Sequence, residues 1–416
     1  MKEKTYDIIV IGAGPAGIMA AIAASSKGAK VCILEKNDRP GRKLLITGKG
    51  RCNITNASFD NKELVQVYGK SGKFLFPALN AFSVQDTIEF FERKGLKTKI
   101  ERGNRVFPES DRSQDVLKTL LEVLRKKKVE IRTKSLVKSF KLKENKILEL
   151  GTNKEVLRAK NFILATGGMS YPATGSSGDG YRLLEKLEHS IVKPRPALVP
   201  VLCKEKWIGE LEGLSLKNVE ISVYQNKKKK DSRFGEALFT DSGLSGPIVL
   251  DLSKTVGEVL EAGDCELSID FKPALELEKL DKRMQRDFQE FKAKQFKNCL
   301  NKLLPQRLIP IMIQLTCIDE NKKVSEISKK ERKKLLNLLK DLRLNVKALD
   351  GFDKAIITSG GLNLKEVDPK TMRSKRIDNL FLAGEILDLD GPTGGYNLQI
   401  AWSTGYLAGK TAADTK

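Results

Sequence analysis

The feature that most constrains this chain is a glycine-rich turn near its N-terminus. The β-branched stretch Ile8–Ile11 precedes the turn, and small apolar residues at 18–25 follow it. The turn itself reads Gly12-Ala13-Gly14-Pro15-Ala16-Gly17. In a strand–turn–helix of this kind the first glycine makes the tight turn, the second lets backbone amides approach a pyrophosphate, and the third lets helix and strand pack closely. The pattern predicts a dinucleotide site with phosphate at the helix N-terminus.

A second predicted strand, Val31–Leu34, ends at Glu35. An acid about 20 residues after the glycine turn is placed to bind the hydroxyls of an adenosine ribose. A secretory signal is the alternative interpretation, since Lys2 and Lys4 precede an apolar stretch. Because the glycines and the proline would interrupt such a signal and no small-residue cleavage site follows, dinucleotide binding is the favoured interpretation.

Composition narrows the class of protein. A length of 416 residues leaves room for two or three domains. Cysteines are scattered at positions 32, 52, 203, 265, 299 and 317, without a C-x-x-C motif, which favours reduced thiols and a cytoplasmic location. A single histidine, His189, excludes most zinc sites and a Ser-His-Asp triad, so we expect no metal. No apolar run reaches the roughly 20 residues that a membrane helix needs, so we expect no membrane association.

The formal charge of +22 is large for a protein that binds only a dinucleotide and a small substrate. An anionic polymer is one explanation, and a surface solvated by lysine is the other. Residues 276–347 carry 19 basic and 10 acidic side chains, a denser positive charge than the chain average. This local excess favours RNA or another polyanion as a partner.

The rest of the chain predicts an α/β fold interrupted by insertions. Pro194 and Pro196 mark the start of a β-rich stretch, and the periodicity between 275 and 344 is helical. Strand character then returns before a closing helix at 396–411. We predict three domains: a dinucleotide-binding domain of residues 1–193 and 346–416, a β-rich, barrel-like domain of 194–273, and a helical domain of 274–345.

A second glycine-rich segment, residues 41–53, adds cations and small polar groups. Its amides and cations could line a pyrophosphate and the edge of an isoalloxazine ring. A flexible basic loop is the alternative, but Leu44–Ile46 favours burial. Cys52 has no second cysteine nearby, which excludes a redox disulfide, so its thiol either acts as an acid beside the ring or simply packs.

Near the C-terminus, Asn379–Glu385 has the strand, glycine and acid order with which two-dinucleotide-binding flavoproteins hold a ribityl chain. Gly394 and Gly395 then begin a helix whose positive end would stabilise negative charge on a reduced flavin. An ordinary glycine-initiated helix is the alternative. The three segments together predict FAD bound by a Rossmann-like domain of the glutathione-reductase type. The residues expected to bind it are Gly12, Gly14, Pro15, Ala16, Gly17, Glu35, Lys36, Arg42, Lys43, Thr47, Gly48, Arg51, Cys52, Asn53, Val137, Thr166, Gly167, Gly168, Gly384, Glu385, Gly395, Asn397 and Leu398.

Five motifs carry a family resemblance: GAGPAG at 12–17, TGKGRCNITN at 47–56, ATGG at 165–168, TSGG at 358–361 and GEILDLDGPTGGYNLQIAWSTG at 384–405. With them the chain resembles, over essentially its whole length, the bacterial FAD-dependent flavoprotein family of NAD(P)/FAD-dependent oxidoreductase type that contains aminoacetone oxidase, a bile-acid 3-dehydro intermediate reductase and the ribosomal RNA dihydrouridine synthase. The resemblance implies FAD and a two-dinucleotide-binding domain with an inserted β domain and helical domain. It leaves the substrate open, because the members differ.

The leading hypothesis is reduction of a carbon–carbon double bond, the C5–C6 bond of a uridine in 23S ribosomal RNA or its precursor. Reduction would add hydride to C6 and a proton to C5, with Cys52 as first candidate for the acid and Tyr396 as second. Lys49, Arg51 and Tyr171 are the expected substrate contacts, and the basic helical segment would meet phosphates. No second G-x-G-x-x-G unit is present, so NADPH or NADH would dock transiently as reductant.

Two other hypotheses are compatible with the sequence. A small-molecule flavoenzyme, either an enone reductase or an amine oxidase, would make the surface charge incidental. A flavin-bearing RNA-binding or assembly protein would have no turnover. Oligomeric state is open as well.

Overall fold

The computed structural model describes residues 5–415. Its strands, in chain order, are β1 (Thr5–Ile11), β2 (Val31–Leu34), β3 (Thr55–Asn56), β4 (Thr98–Glu101), β5 (Arg105–Pro108), β6 (Glu130–Arg132), β7 (Val137–Lys143), β8 (Lys146–Thr152), β9 (Val156–Leu164), β10 (Ile191–Ala197), β11 (Val201–Cys203), β12 (Ser215–Gln225), β13 (Lys228–Phe239), β14 (Gly243–Ser245), β15 (Glu266–Asp270), β16 (Leu342–Leu349), β17 (Ile357–Leu362) and β18 (Leu380–Leu382). Its α-helices are α1 (Pro15–Ser26), α2 (Arg42–Ile46), α3 (Asn61–Val67), α4 (Gly72–Ala81), α5 (Val84–Arg93), α6 (Ser113–Lys126), α7 (Asp179–Glu185), α8 (Pro247–Ala262), α9 (Leu277–Glu290), α10 (Ile309–Thr316), α11 (Lys329–Lys340), α12 (Gly351–Lys354) and α13 (Tyr396–Asp414).

The chain divides into two compact units. The Rossmann unit comprises Met1–Pro196 and Phe352–Lys416, and the barrel unit comprises Ala197–Gly351. Each unit has a hydrophobic core of its own. The predicted α/β class is confirmed, with a Rossmann domain whose sequence is interrupted by a β-barrel and helices.

A seven-stranded sheet organises the Rossmann unit. Its order is β6-β2-β1-β9-β8-β7, and β18 pairs with β9 as well. The pairs β2–β6, β1–β2, β1–β9 and β18–β9 are parallel, whereas β8 pairs antiparallel with both β7 and β9. The carboxyl ends of β1, β2, β9 and β18 therefore meet at one edge of the sheet, where ligands of such folds bind.

Strand β9, Val156–Leu164, has two parts that differ in burial: residues 156–160 are mostly exposed or half-buried, and residues 161–164 are all buried. Its first residues pair with β8 and its last residues pair with β1 and β18. Antiparallel and parallel neighbours thus share one continuous backbone, which a change in burial pattern alone does not reveal.

Helices α1 and α13 pack closely because α13 carries glycines at the contact. A Cβ on Gly405 would lie 2.3 Å from the carbonyl oxygen of Ala16, and one on Gly409 would lie 2.0 Å from that of Ala20. Gly384 likewise approaches α1, since a Cβ there would lie 2.7 Å from the Ala16 Cβ. These contacts bring the C-terminal segment onto the helix of the glycine turn.

The barrel unit is built on a closed barrel of six strands in the order β11-β14-β13-β12-β15-β16. Helices α9, α10 and α11 lie in the sequence between β15 and β16. Strand β16, Leu342–Leu349, pairs with β11 and β15 to close the barrel. The domain boundary predicted between 345 and 346 therefore falls inside a barrel strand, and the helices share one core with the barrel. Within residues 5–415, no helix is both long and apolar enough to span a bilayer.

Candidate active site

The glycine turn (residues 12–17) has the geometry that its sequence predicts. Gly12 has a φ of +104°, and a Cβ there would lie 2.4 Å from the carbonyl oxygen of Ala165. A Cβ on Gly17 would lie 1.9 Å from the carbonyl oxygen of Gly12. Both positions therefore require glycine for close packing. Gly14 differs, because a Cβ there would meet nothing within 4 Å, which leaves open space beside the start of α1.

The start of α1 is suited to an anion. Gly14 is the N-cap residue, and among the residues that the structure describes no side chain caps this end. Pro15 occupies the first turn, and Ala16 and Gly17 are buried behind it. Uncapped amides at the positive end of a helix attract phosphate. The turn therefore fits the pyrophosphate of a dinucleotide.

Glu35 lies beside the glycine turn at the end of β2. Its side chain is buried, and its two oxygens accept hydrogen bonds from the Ala13 amide at 3.0 Å and the Asn37 amide at 2.8 Å. Each carboxylate oxygen retains a further lone pair. Two backbone donors thus fix the carboxylate where it can accept hydroxyls of a ribose. The neighbouring Lys36 forms an ion pair with Asp179.

A second group of polar side chains, which we call the carboxylate cluster, comprises Lys43, Ser170, Thr358 and Glu385. Lys43 Nζ donates to Glu385 Oε2 and to Ser170 Oγ, both at 2.6 Å. Glu385 Oε1 accepts from the Thr358 amide at 2.7 Å and from the Ser170 hydroxyl at 2.9 Å. The Thr358 hydroxyl in turn accepts a hydrogen bond of 3.1 Å from the Ser170 amide. Gly167 lies close by, since a Cβ added to it would lie 3.9 Å from Glu385 Oε2.

Sequence reasoning found two members of this cluster and missed the other two. Lys43 and Glu385 were expected to contact the cofactor, but Ser170 and Thr358 were not singled out. Ser170 follows the ATGG motif by one residue, and Thr358 begins the TSGG motif. The glycine pairs of these two motifs were the signal that could have pointed to Ser170 and Thr358, because glycine lets the backbone approach a ligand closely.

The loop between α2 and β3 contains several left-handed residues. Gly48, Lys49, Gly50 and Cys52 have φ values of +56°, +57°, +85° and +62°. Lys49 and Cys52 are strained in this region because they carry a Cβ. Lys49 and Gly48 are exposed. Thr47 is fixed by a hydrogen bond of 2.6 Å from its hydroxyl to the Leu44 carbonyl.

Arg51 in this loop is committed to partners within the protein. Its guanidinium forms ion pairs with Glu101 and Asp111, both at 2.5 Å, and lies 4.0 Å from the centre of the Phe107 ring. The hydrogen bond from Arg51 lowers the pKa of the Glu101 carboxyl, and hydrogen bonds from Lys99 and then Arg51 lower the pKa of the Asp111 carboxyl. Contact between Arg51 and a cofactor or substrate stays a prediction.

Cys52, the first candidate for the acid, has a fully buried side chain, with an exposed fraction of 0%. Burial also raises the pKa of the thiol from 9.0 to about 12, which makes it a weak proton donor. The packing alternative is the one that the geometry supports, because the loop folds its thiol inward.

The first turn of α13 is shaped by two glycines. Gly394 and Gly395 have φ values of +117° and +101°, and a Cβ on Gly395 would lie 2.3 Å from the Thr55 carbonyl oxygen. Asn397 holds the preceding loop, since its side chain exchanges two hydrogen bonds of 2.8 Å with the Gly391 backbone. Helix α13 therefore begins directly after two left-handed glycines, and its N-cap residue, Gly395, provides no side-chain cap.

Tyr396 is the first residue of α13. Its ring meets Tyr68 edge to face at 6.1 Å between centroids, and the Tyr68 hydroxyl donates to the Tyr396 carbonyl at 3.1 Å. Two contacts therefore fix the position of this residue, whose side chain is only partly buried.

The remaining predicted residues occupy separate places. Val137 is buried at the start of β7, and Leu398 is partly buried in α13. Tyr171 has a φ of +50° and donates its amide to the Phe352 carbonyl at 3.0 Å. Arg42 reaches the Asn37 side chain at 3.3 Å.

Two orphaned atoms test whether the site fits FAD. Within residues 5–415, Asn53 Oδ1 and Thr166 Oγ1 are buried and have no hydrogen-bond partner. A buried polar atom without a partner costs about 1–3 kcal/mol, so a bound ligand that satisfies it is favoured. Both residues belong to the set expected to bind FAD, and Gly14 leaves the room that a pyrophosphate needs. The residues present fit the group. The described residues contain no cluster of three or more His, Cys, Asp or Glu side chains placed to hold a metal ion.

Comparison with known proteins agrees with this geometry. Residues 6–411 match the family described as HI0933-like protein Rossmann domain. The 3-dehydro-bile acid delta(4,6)-reductase of Clostridium scindens is 34% identical over 408 residues, covering 97% of this chain and 98% of that protein. The ribosomal RNA dihydrouridine synthase of Escherichia coli is 29% identical, covering 97% of each. The solved structure of the 3-ketosteroid-delta4-(5alpha)-dehydrogenase of Rhodococcus jostii shares the fold, with a TM-score of 0.53 at 15% identity over 98% of this chain and 97% of that one.

Proposed function

The chain belongs to the HI0933-like family of FAD-dependent oxidoreductases, and from that premise we propose that it reduces the C5–C6 double bond of a uridine in 23S ribosomal RNA. The product would be dihydrouridine. A reduced nicotinamide, NADPH or NADH, would supply the electrons by docking transiently.

The observation that carries the reductase part is the full-length likeness to two proteins named for related chemistry. One is named a bile-acid reductase and the other a dihydrouridine synthase. A 3-oxo steroid with a double bond at position 4 and a uracil share one reactive unit, a carbon–carbon double bond conjugated to a carbonyl. Hydride addition at the far carbon and protonation at the near carbon reduce either one. The shared unit supports this reaction for the present chain.

Bound FAD supplies hydride transfer once it has been reduced. The protein's own residues would hold and orient it: the amides of the glycine turn at the pyrophosphate, Glu35 at the ribose, and the carboxylate cluster at the ribityl chain. The N-terminus of α13 would stabilise negative charge near the ring. Asn53 and Thr166 would each gain the hydrogen bond that they lack in the protein alone.

Tyr396 becomes the leading candidate for the proton donor because Cys52 is enclosed. Its phenol is a donor, its ring is held by Tyr68, and it begins the helix beside Gly394 and Gly395. Lys49, which is exposed, and Tyr171 and Arg51 remain the proposed substrate contacts.

The charge of the chain favours RNA over a small molecule. A formal charge of +22 exceeds what a neutral or singly charged substrate requires. A uracil must leave its stack before a ring can approach it, so the target would lie in unpaired RNA or in a subunit precursor.

Reduction of a small-molecule enone is the second candidate function, favoured by the 34% identity to the bile-acid reductase. Oxidation of a small-molecule amine is the third. An oxidase would consume oxygen with an amine, whereas a reductase would consume NADPH or NADH and need an acceptor.

Deletion of the gene tests the proposal. We expect one dihydrouridine to disappear from 23S ribosomal RNA, measured by mass spectrometry of nucleosides, and to return when the wild-type gene is restored. A Gly14→Asp gene should not restore it, because the carboxylate would occupy the phosphate position. An unchanged dihydrouridine content in the deletion strain would contradict RNA as the substrate and favour a small-molecule substrate.

A further inference from the structure

The helices of the barrel unit carry a surface whose charge is not balanced within the protein. Helices α9 and α11 pack on each other and are bridged by an ion pair of 2.9 Å between Asp281 and Arg332. Each helix buries one apolar face in the core of the unit. The buried residues are Leu280, Met284 and Phe288 of α9 and Leu335, Leu336 and Leu339 of α11.

Cations occupy the opposite face of each helix. At about 100° per residue, Lys330, Lys333 and Lys334 span about 100° of α11, centred opposite its leucines. Lys282 and Arg286 lie in the same way opposite the buried face of α9, and all five side chains are exposed. We call these five residues the α9/α11 basic surface. The exposed positions of α11 are only Asn337 and four lysines, at 329, 330, 333 and 334.

Two carboxylates near this surface are paired with other cations, and a third, the exposed Glu278, lies one turn before Lys282 on α9. Glu331 pairs with Lys322 at 2.8 Å and also caps α11, and these contacts lower its pKa to about 2. Glu290 pairs with Lys302 at 2.7 Å. Within the described part of the chain, no ion pair joins Lys330, Lys333 or Lys334 to a carboxylate. Positive charge therefore accumulates on the solvent side of α11.

We propose that the α9/α11 basic surface binds the phosphate backbone of the RNA substrate, an inference that rests on the function proposed above. Lysines on a helix face are flexible point charges that neutralise phosphates without reading sequence. No aromatic side chain lies among the exposed positions of α11 to stack on a base. The surface would thus supply affinity, while the flavin site selects the uridine.

A lipid bilayer is the less suitable polyanion for this surface. A helix that lies in a membrane interface buries its apolar face among the acyl chains. The apolar faces of α9 and α11 are instead buried in the protein core. Attraction to lipid would then rest on charge alone.

A matched pair of triple variants tests the surface. K330Q/K333Q/K334Q removes three charges from α11, and K227Q/K228Q/K230Q removes three exposed lysines from the β12–β13 hairpin. The probe is a fragment of 23S ribosomal RNA titrated with the FAD-loaded protein at several salt concentrations. Each lost phosphate contact should lower the log–log salt slope by about 0.7 to 0.9.

We expect the α11 variant to bind at least about tenfold more weakly at low salt, with a salt slope lower by about 2, while its FAD content and thermal unfolding match those of the wild type. The hairpin variant should change the slope by less than about 1. Equal losses in both variants, or no loss in the α11 variant, would overturn the assignment of this surface while leaving RNA as substrate.

Two further outcomes separate this inference from the proposed function. Wild-type protein that binds the RNA fragment with no salt dependence would overturn both, because no phosphate contact would then contribute. A selective loss of binding to vesicles of anionic phospholipid in the α11 variant, with RNA affinity intact, would assign the surface to lipid and overturn the inference alone.

Discussion

The two glutamates of the site are held in different ways, and the difference separates what is local from what is global in this fold. Glu35 follows strand β2 and is fixed by backbone amides of Ala13 and Asn37. Glu385 follows strand β18 and is fixed mainly by side chains, Lys43 and Ser170, that lie 342 and 215 residues away in the sequence. The glycine turn is complete once one βαβ unit has formed. The carboxylate cluster exists only when the first and last parts of the chain meet.

The two regions also differ in charge. Both oxygens of Glu35 accept hydrogen bonds from neutral backbone amides, so neither of these two donors neutralises its negative charge. Glu385 is paired with Lys43, and both side chains are 21% exposed. The first region should therefore contribute hydrogen bonding to the adenosine end, and the second should couple ligand binding to the closing of the fold.

The largest effect is expected from Gly17→Ala. Its Cβ would lie 1.9 Å from a backbone oxygen that cannot move aside, so the variant should lose about 3 kcal/mol or more of unfolding free energy and its FAD. Gly14→Asp is the matched control, because its Cβ enters open space. It should lose FAD with apo stability changed by less than about 0.5 kcal/mol. Equal unfolding curves for the two variants, measured in urea, would contradict the division of roles within the turn.

Tyr396, the proposed proton donor, belongs to neither region and begins helix α13. Tyr396→Phe keeps the ring contact with Tyr68 but removes the hydroxyl. We expect reduction of the acceptor to slow by about 100-fold or more with FAD content unchanged, in line with the usual contribution of a general acid. Stopped-flow measurement of the oxidation of the reduced enzyme isolates this step. A variant with wild-type rate would remove Tyr396 from the mechanism.

Glu385→Gln should cost about 2 kcal/mol of unfolding free energy, since a charged hydrogen bond to Lys43 is lost. Lys43→Met and the double variant complete a thermodynamic cycle in urea. We expect a coupling of about 1 kcal/mol between the two side chains. A coupling near zero would mean that the carboxylate cluster does not act as a unit.

Glu35→Gln should have a smaller effect, about 1 kcal/mol, because one oxygen still accepts a backbone amide. The side-chain NH2 group of the glutamine would face a backbone N–H that donates to the Glu35 carboxylate in the wild type. FAD affinity, measured by calorimetry, should fall while the affinity for FMN, which lacks the adenosine, stays low and equal in both proteins. An unchanged FAD affinity would show that Glu35 does not contribute to ribose binding.

Cys52→Ala should have the smallest effect, with an activity within about twofold of wild type. Burial raises the pKa of the thiol from 9.0 to about 12 in the folded chain, so the thiol stays protonated there and the two pH–rate profiles should superimpose from pH 6 to 8. Above pH 9 the unfolded chain loses this proton first, and wild-type stability should fall with rising pH by up to about 1.4 kcal/mol per unit until about pH 12. The alanine variant lacks this contribution. A loss of activity of more than 100-fold would restore Cys52 as the acid.

The sequence predicted the glycine turn in detail because each requirement there is local. The spacing of Gly12, Gly14 and Gly17 with Glu35 after the second strand is one βαβ unit, and the structure needs glycine at 12 and 17 for the physical reason expected. The closing helix at 396–411 is confirmed as α13 for a similar reason, since glycines mark its start.

Contacts between distant segments were not predictable in the same way. The glycines at 405 and 409 read as ordinary small helix residues, but they let α13 approach α1. Ser170 and Thr358 gained a role only through Glu385. The burial of Cys52 was not predictable either, because its position in a glycine-rich loop left both a thiol beside the ring and a thiol that packs open, and its role as the acid stays a prediction.

The measurement that tests the account most directly is the FAD content of the purified chain, read from its flavin absorption after gel filtration and after reconstitution. The account predicts one FAD per chain, held in the wild type and absent from Gly14→Asp. A wild-type protein that remains colourless and takes up no FAD would contradict the claim that the two ends of the chain form one flavin site.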